Sequence, residues 1–211
     1  MNILIFGAST KNSIGYHLGE SLRLIGHKIS YASRSGRLGF QCDVTVAADV
    51  RRVLQRFEPD AVVLCAGVFV PPHVVGSIET WDKIATHLSA KTLGALIVFD
   101  ELTRLGKITQ VIVLGGREVS SDPGFAPYTI GNSALWGLMR FLNRHTSLSV
   151  FYVDLPFVEN STMQQAYLRA KHTDPHAALS GISPSHVTQA VLRILCGQSK
   201  SKRIILGKGT K

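Results

Sequence analysis

Short apolar runs alternate along this chain with stretches in which apolar residues return at helical spacing. The first run, NILIFG, reads as a strand. Ile14, Leu18, Leu22 and Ile25 then recur on one helical face until Gly26 ends it. HKISYAS makes a second strand, FQCDV a short third, and AADVRRVLQRF the helix after it. DAVVLCAG is apolar throughout, as a strand covered on both faces should be. One long helix is predicted from about Glu79 to Leu105, closed by Gly106. ITQVIVLGG is a fifth strand, residues 127–145 the next helix, and LSVFYVDLP a sixth strand. Residues 156–183 have weak periodicity and read as an excursion with a short helix around Gln164 to Ala170. SPSHVTQAVLRILCG enters a helix through Ser-Pro, and KRIILG is a last short strand.

This alternation predicts an α/β fold, a doubly wound parallel sheet with helices on both faces, because right-handed crossovers pack that way. Such sheets bind ligands beyond the carboxyl ends of their strands, where the strand order switches. A chain of 211 residues suits one such domain. With 45% apolar residues it has the material for a well-buried core. No apolar run approaches the ~20 residues needed to cross a bilayer. The opening MNILIFGAST is too short and too poor in basic residues for a signal peptide, so a cytoplasmic location is expected. Cys42, Cys65 and Cys196 are widely spaced, which predicts buried free thiols rather than a metal site.

The net charge of +9 raises the question of nucleic acid. The basic residues are dispersed, however. The densest groups, Arg51, Arg52 and Arg56 and the tail KSKRIILGKGTK, carry no interleaved aromatics. A solvated basic surface that draws in an anionic cofactor is expected, with no specific nucleic-acid partner.

The candidate chemistry follows the strands. GASTKNSIG comes after the first, with Gly7 permitting a tight turn and Gly15 a close approach of backbone to phosphate. The second strand ends YASRSGR, without the acidic residue that binds a ribose 2′-hydroxyl in NAD proteins of this architecture. Ser33, Arg34 and Ser35, with Lys11 from the first loop, suit a 2′-phosphate instead. NADP(H) is therefore expected over NAD(H), Arg34 as a plain solvated loop residue being the alternative.

In these motifs the chain resembles the short-chain dehydrogenase/reductase family, which implies a single Rossmann-type domain. The first turn departs from the family's GxxxGxG and looks more like the GxxxxxSIA of its enoyl-acyl carrier protein reductases, with Ser13, Ile14 and Gly15 at the last three places. The resemblance implies cofactor contacts from Gly7, Ser9, Ser13 and Ile14. CDVT resembles the Asp-Val pair at the adenine, carried by Asp43 and Val44. LCAG resembles the NAG tripeptide, with Cys65 in place of Asn before Ala66 and Gly67. DLPFVENST resembles the PGxVxT segment at the nicotinamide amide through Pro156 and Val158, while Asn160, Ser161 and Thr162 compete for the threonine role.

The family's Asn, Ser, Tyr and Lys are less well kept. Tyr128 stands at the place of the proton-donating tyrosine, and Asn132, four residues on, at the place of the lysine. Gly115 and Gly116 stand at the place of the serine, with Ser120 and Ser121 nearby as substitutes or as plain loop polarity. Lys91, three residues before Gly94, stands at the place of the asparagine. Lysine and asparagine have thus exchanged helices. Bringing a tyrosine from a pKa of ~10 to ~7 requires about 4 kcal/mol, and a cation at ~4 Å supplies roughly that at an effective dielectric near 20. Asn132 is neutral, so Lys91 is expected to supply the charge to Tyr128, with Asn132 as a polar relay; a solvated surface lysine is the alternative.

The resemblance implies an oxidoreductase acting on a small-molecule carbonyl or its alcohol. Loss of serine and lysine from their places leaves a second reading, a silent NADP(H)-binding sensor or scaffold. The excursion's Arg169, Lys171, His172 and His176 suit an anionic or polar substrate, and Asp174-Pro175 between the histidines argues against a metal site. Pairing through the long helix and the tyrosine helix into a homodimer or homotetramer is also implied. Leu135, Trp136, Met139 and Leu142 belong either to that face or to the core.

Overall fold

The computed structural model describes residues 1–67, 78–106, 110–116, 126–162, 164–165, 168 and 181–207, with backbone only for residues 78–80 and 126. Seven strands form one sheet: β1 Asn2–Phe6, β2 Lys28–Ser33, β3 Phe40–Gln41, β4 Ala61–Leu64, β5 Gln110–Gly116, β6 Ser149–Leu155 and β7 Arg203–Ile205. Their order is β3-β2-β1-β4-β5-β6-β7, and every pairing is parallel. The order reverses between β1 and β4, so the crevice that such sheets use for ligands opens over those two strands.

The helices are α1 Ile14–Leu24, α2 Ala47–Phe57, α3 Ile78–Leu88, α4 Gly94–Leu105, α5 Ala126–His145 and α6 Pro184–Leu195. Side chains alternate across each strand and build two cores. Leu4, Phe6, Val62, Val111 and Tyr152 face α2, α4 and α5, while Ile3, Ile5, Val63, Ile112 and Val153 face α1 and α6. Leu135, Met139 and Leu142 belong to the first core, and Trp136 packs partly buried against it.

Three expectations are corrected. Ile25 caps α1 instead of extending its buried face, and is 56% exposed because Gly26 turns the chain away at φ 92°. Cys196 is exposed at the end of α6, whereas Cys42 is buried and Cys65 half-buried. The long helix is two helices joined by a single π turn, Ser89–Leu93, in which the Gly94 N–H donates to the carbonyl of Ser89 five residues back. The mean spacing of apolar residues does not register one residue added to a single turn, and such turns recur at functional sites.

The dense arginines have structural partners. Arg51 on α2 forms a two-pronged ion pair with buried Glu101 on α4, at 2.9 and 2.8 Å. Arg52 pairs with Asp49, and the Arg56 guanidinium lies 5.6 Å from the Phe40 ring centre. Arg169, Lys171, His172 and His176, like Ser120 and Ser121, lie outside the described residues. Of the short helix expected around Gln164, the described residues Thr162, Gln164, Gln165 and Leu168 are helical. Among the described residues no helix is long and apolar enough to cross a membrane.

Candidate active site

The crevice begins at Gly7. Its φ is +102°, a region that disfavours a side chain, and a Cβ there would fall 2.5 Å from the backbone N of Ala66. The glycine lets the loop after β1 close over the end of β4. Gly15 extends this intimacy to α1, since its Cβ would sit 3.2 Å from Ile5 and 3.5 Å from the Cys65 sulfur. Ser13 caps α1, accepting from the Tyr16 N–H at 3.3 Å and donating to the Thr10 carbonyl at 2.7 Å. Ile14 opens the helix, and no acidic side chain occupies its first turn, so the partial positive charge of this helix end stands uncompensated toward the crevice. Ser9 and Lys11 are exposed on the loop.

At the end of β2, Ser33 is buried with its hydroxyl 3.3 Å from that of Ser35, and Arg34 is exposed beside them. Arg37, exposed on the same turn, adds a second guanidinium that the sequence motif did not single out. Asp43 braces its own turn, accepting from the Thr45 N–H and hydroxyl at 2.9 and 2.7 Å. Val44 is buried, its Cγ2 2.6 Å from where a Gly94 Cβ would be. Ala66 is half-buried and Gly67 exposed after β4. Of the three candidates after Pro156, Thr162 meets the first loop: its N–H donates to the Asn12 carbonyl at 3.1 Å, and its hydroxyl lies 3.3 Å from that of Thr10. Ser161 and Asn160 instead cap the local turn through Gln164. Val158 is 2% exposed and its backbone bridges Ile182, so its side chain belongs to the core.

The ends of β5 and β6 explain the missing serine. A Cβ on Gly115 would coincide with the hydroxyl of Tyr152, and one on Gly116 would fall 2.6 Å from the Nδ2 of Asn132. Both glycines are therefore required by neighbouring side chains. Asn132 is 6% exposed, its Nδ2 against Gly116 and its Oδ1 buried without a hydrogen-bond partner. Tyr128, one helical turn earlier on α5, is 8% exposed.

The π turn lies against α5, Thr92 donating to the Gly131 carbonyl at 3.4 Å. Lys91 within that turn is half-buried and lines a small cavity with Val44, Leu64, Ala66, Gly94 and Leu135. Burial pushes its ammonium down to about 8, against the opposing pull of Cys65 and Asp154. Burial likewise pushes the Cys65 thiol up to about 12, with Lys91 drawing it back. The ammonium thus feels the end of β4 on one side and the end of β6 on the other.

Two buried polar residues stand here that sequence patterning did not select. His87 is fully buried, its ring edge-on to that of Tyr128 with centres 4.7 Å apart, and glycine at 131 leaves it room. Its position four residues before Lys91 was the available signal. Asp154 is 1% exposed; Arg203 donates to its Oδ2 at 2.7 Å while its Oδ1 has no partner. A carboxylate closing an otherwise apolar strand was the signal there.

No protein-family model matches the chain, and no curated protein matches it. Solved structures do. The chain is similar to a short chain dehydrogenase family protein from Francisella tularensis, with 18% identity over 97% of this chain and 95% of that one, at a TM-score of 0.75. It is similar to 3-ketoacyl-(acyl-carrier-protein) reductase from Brucella melitensis complexed with NADH, with 16% identity over 99% and 97%, at 0.74. It is also similar to serine dehydrogenase complexed with NADP+, with 16% identity over 100% and 96%, at 0.77. At such identities the likeness is one of fold alone, shared with these three proteins.

Proposed function

We propose that this chain is an NADP(H)-dependent oxidoreductase of the short-chain dehydrogenase/reductase type, reducing a carbonyl or oxidising its alcohol, with Tyr128 as proton donor. The observation that supports the reading is that Lys91 is half-buried in a π turn packed on α5 through Thr92, while Tyr128 and Asn132 lie buried one turn apart on α5. A half-buried ammonium and an amide with an orphaned oxygen both cost stability.

The residues present fit a phosphorylated dinucleotide. Gly7 lets the loop after β1 pack on the backbone of Ala66 at the end of β4, and the N-terminus of α1 favours an anion. Ser33, Arg34 and Ser35 offer donors and no carboxylate to a 2′-phosphate. Asp43 and Val44, then Cys65, Ala66 and Gly67, and then Pro156 would line the rest. When bound, a reduced nicotinamide would supply the hydride.

The chain's own residues handle the proton. Tyr128 donates its phenolic proton to the carbonyl oxygen, and Lys91, charged below about pH 8, offsets the phenolate that remains. The glycine pair keeps side-chain bulk away from the reacting carbon. The exposed apolar residues Leu96 on α4 and Ile130 and Phe141 on α5 support pairing through these helices into a homodimer or homotetramer.

Calorimetry with NADPH and NADH tests the core of this reading. NADPH is expected to bind more tightly, and Arg34→Ala to weaken it about 10-fold or more while leaving NADH unchanged, as loss of a charge-assisted hydrogen bond implies. No heat from either nucleotide would sink the proposal. Tight NADPH binding without turnover on any carbonyl would favour the sensor reading, which the loss of the serine supports.

A further inference from the structure

Asn132 has a role that its place in the chain conceals. It occupies the position of a lysine, yet its amide ends against Gly116, in the space that a serine side chain would take. The glycine and the asparagine are complementary: a Cβ at 116 would displace the amide, and the amide fills what the glycine vacates. The amide is 94% buried by the 6% exposure of its residue, and the Oδ1 has no partner although burial of such an atom is costly. Asn132 lies one turn after Tyr128 on the same face of α5.

Resting on the oxidoreductase reading above, we propose that Asn132 holds the substrate carbonyl, and that its second amide atom selects substrates with a hydrogen-bond donor beside that carbonyl. The substrate class is the α-hydroxycarbonyl compounds. Nδ2 donates to the carbonyl oxygen while Oδ1 accepts from the adjacent hydroxyl, which gives the orphaned atom its partner. The amide presents a donor group and an acceptor side by side: only its NH2 end can meet the carbonyl oxygen, and its oxygen meets the hydroxyl. In the reduction, hydride from the reduced nicotinamide forms a C–H bond at the carbonyl carbon. The π pair moves to oxygen, and oxygen takes the Tyr128 proton. The product is a vicinal diol, and the phenolate regains its proton from solvent.

The test compares acetoin with 2-butanone, which differ by one hydroxyl, by following NADPH absorbance. Wild type is expected to favour acetoin by about 10- to 100-fold in kcat/KM, the range for leaving one buried polar atom unpaired. Asn132→Ala is expected to abolish that preference while NADPH binding by calorimetry stays unchanged. Gly116→Ser with Asn132→Ala restores turnover without preference. Equal use of the two ketones, or no turnover of acetoin by protein that binds NADPH, overturns this assignment and leaves cofactor binding intact. Failure to bind NADPH instead removes the underlying function. A readout free of activity is the melting temperature of Asn132→Leu without ligand. It rises if the amide serves a ligand, because an unpaired buried acceptor has been removed, and a fall would show that the amide serves the fold.

Discussion

Lys91 sits where its charge is expensive. Its pKa of about 8 lies below the ordinary 10.5, with burial as the leading cause. Between those two values the unfolded chain binds more protons than the folded one, so raising the pH through this window relieves a penalty that is fully present below about 8. Lys91→Met is therefore expected to raise the melting temperature at pH 7 and to lose most of that gain by pH 10.5. A gain that stayed constant with pH would mean that the ammonium is not under strain. The same variant is expected to lose carbonyl reduction, and the wild-type rate to fall as pH rises past about 8; an unchanged pH–rate profile in Lys91→Met would exclude Lys91 from proton transfer. Such an exchange of stability for activity is common in active sites. Lys91, Tyr128 and Asn132 were legible as candidates because a family pattern marks their places. His87 and Asp154 were not, because their burial depends on α5 and on β7, which no local spacing reveals.

At the scale of elements, α4, which lines the cavity, is joined to α2 by the ion pair of Arg51 with Glu101. The Arg51 guanidinium beside it holds the carboxyl of Glu101 below the usual carboxylate range. A depressed folded pKa contributes stability that is present above the unfolded value and lost as pH falls through the folded one. Arg51→Ala is expected to lower the melting temperature at pH 7, and the difference from wild type to shrink as the pH falls from the free carboxylate value through the depressed folded one, below which both forms are protonated. Arg51→Ala with Glu101→Leu should recover most of the loss, because the buried carboxylate no longer lacks a counter-charge. Persistent loss in the double variant would show that Arg51 acts through its packing alone. The π turn between α3 and α4 shows where element-level reading stops. A helix was visible from Glu79 to Leu105, but the extra residue in one turn, which carries Lys91, is decided by contacts with α5 and Val44.

Across the whole molecule, a net charge of +9 is spread over a sheet whose crevice would take an anionic ligand. Ligand that binds only the folded state stabilises it, by ~2.7 kcal/mol at 100 times the dissociation constant. NADPH is expected to raise the melting temperature more than NADH does at equal concentration, and added salt to narrow the gap by screening the 2′-phosphate. A gap indifferent to salt would place the discrimination elsewhere than in Arg34 and its neighbours. The alternation of strand and helix determined the parallel sheet from the chain alone, since period two and period 3.6 are local properties of residues such as Ile3 to Phe6 or Leu18 and Leu22. Glycine at position 7 also spoke for itself, because a strand running into a left-handed turn needs it. Only the folded molecule decided that Asn132 fills the space beside Gly116, that Tyr152 excludes a side chain at 115, and that Arg51 and Arg56 of α2 are spent on α4 and Phe40. Those facts are distances between atoms far apart in the chain, and a one-dimensional pattern contains no such distance until the sheet has brought its strands together.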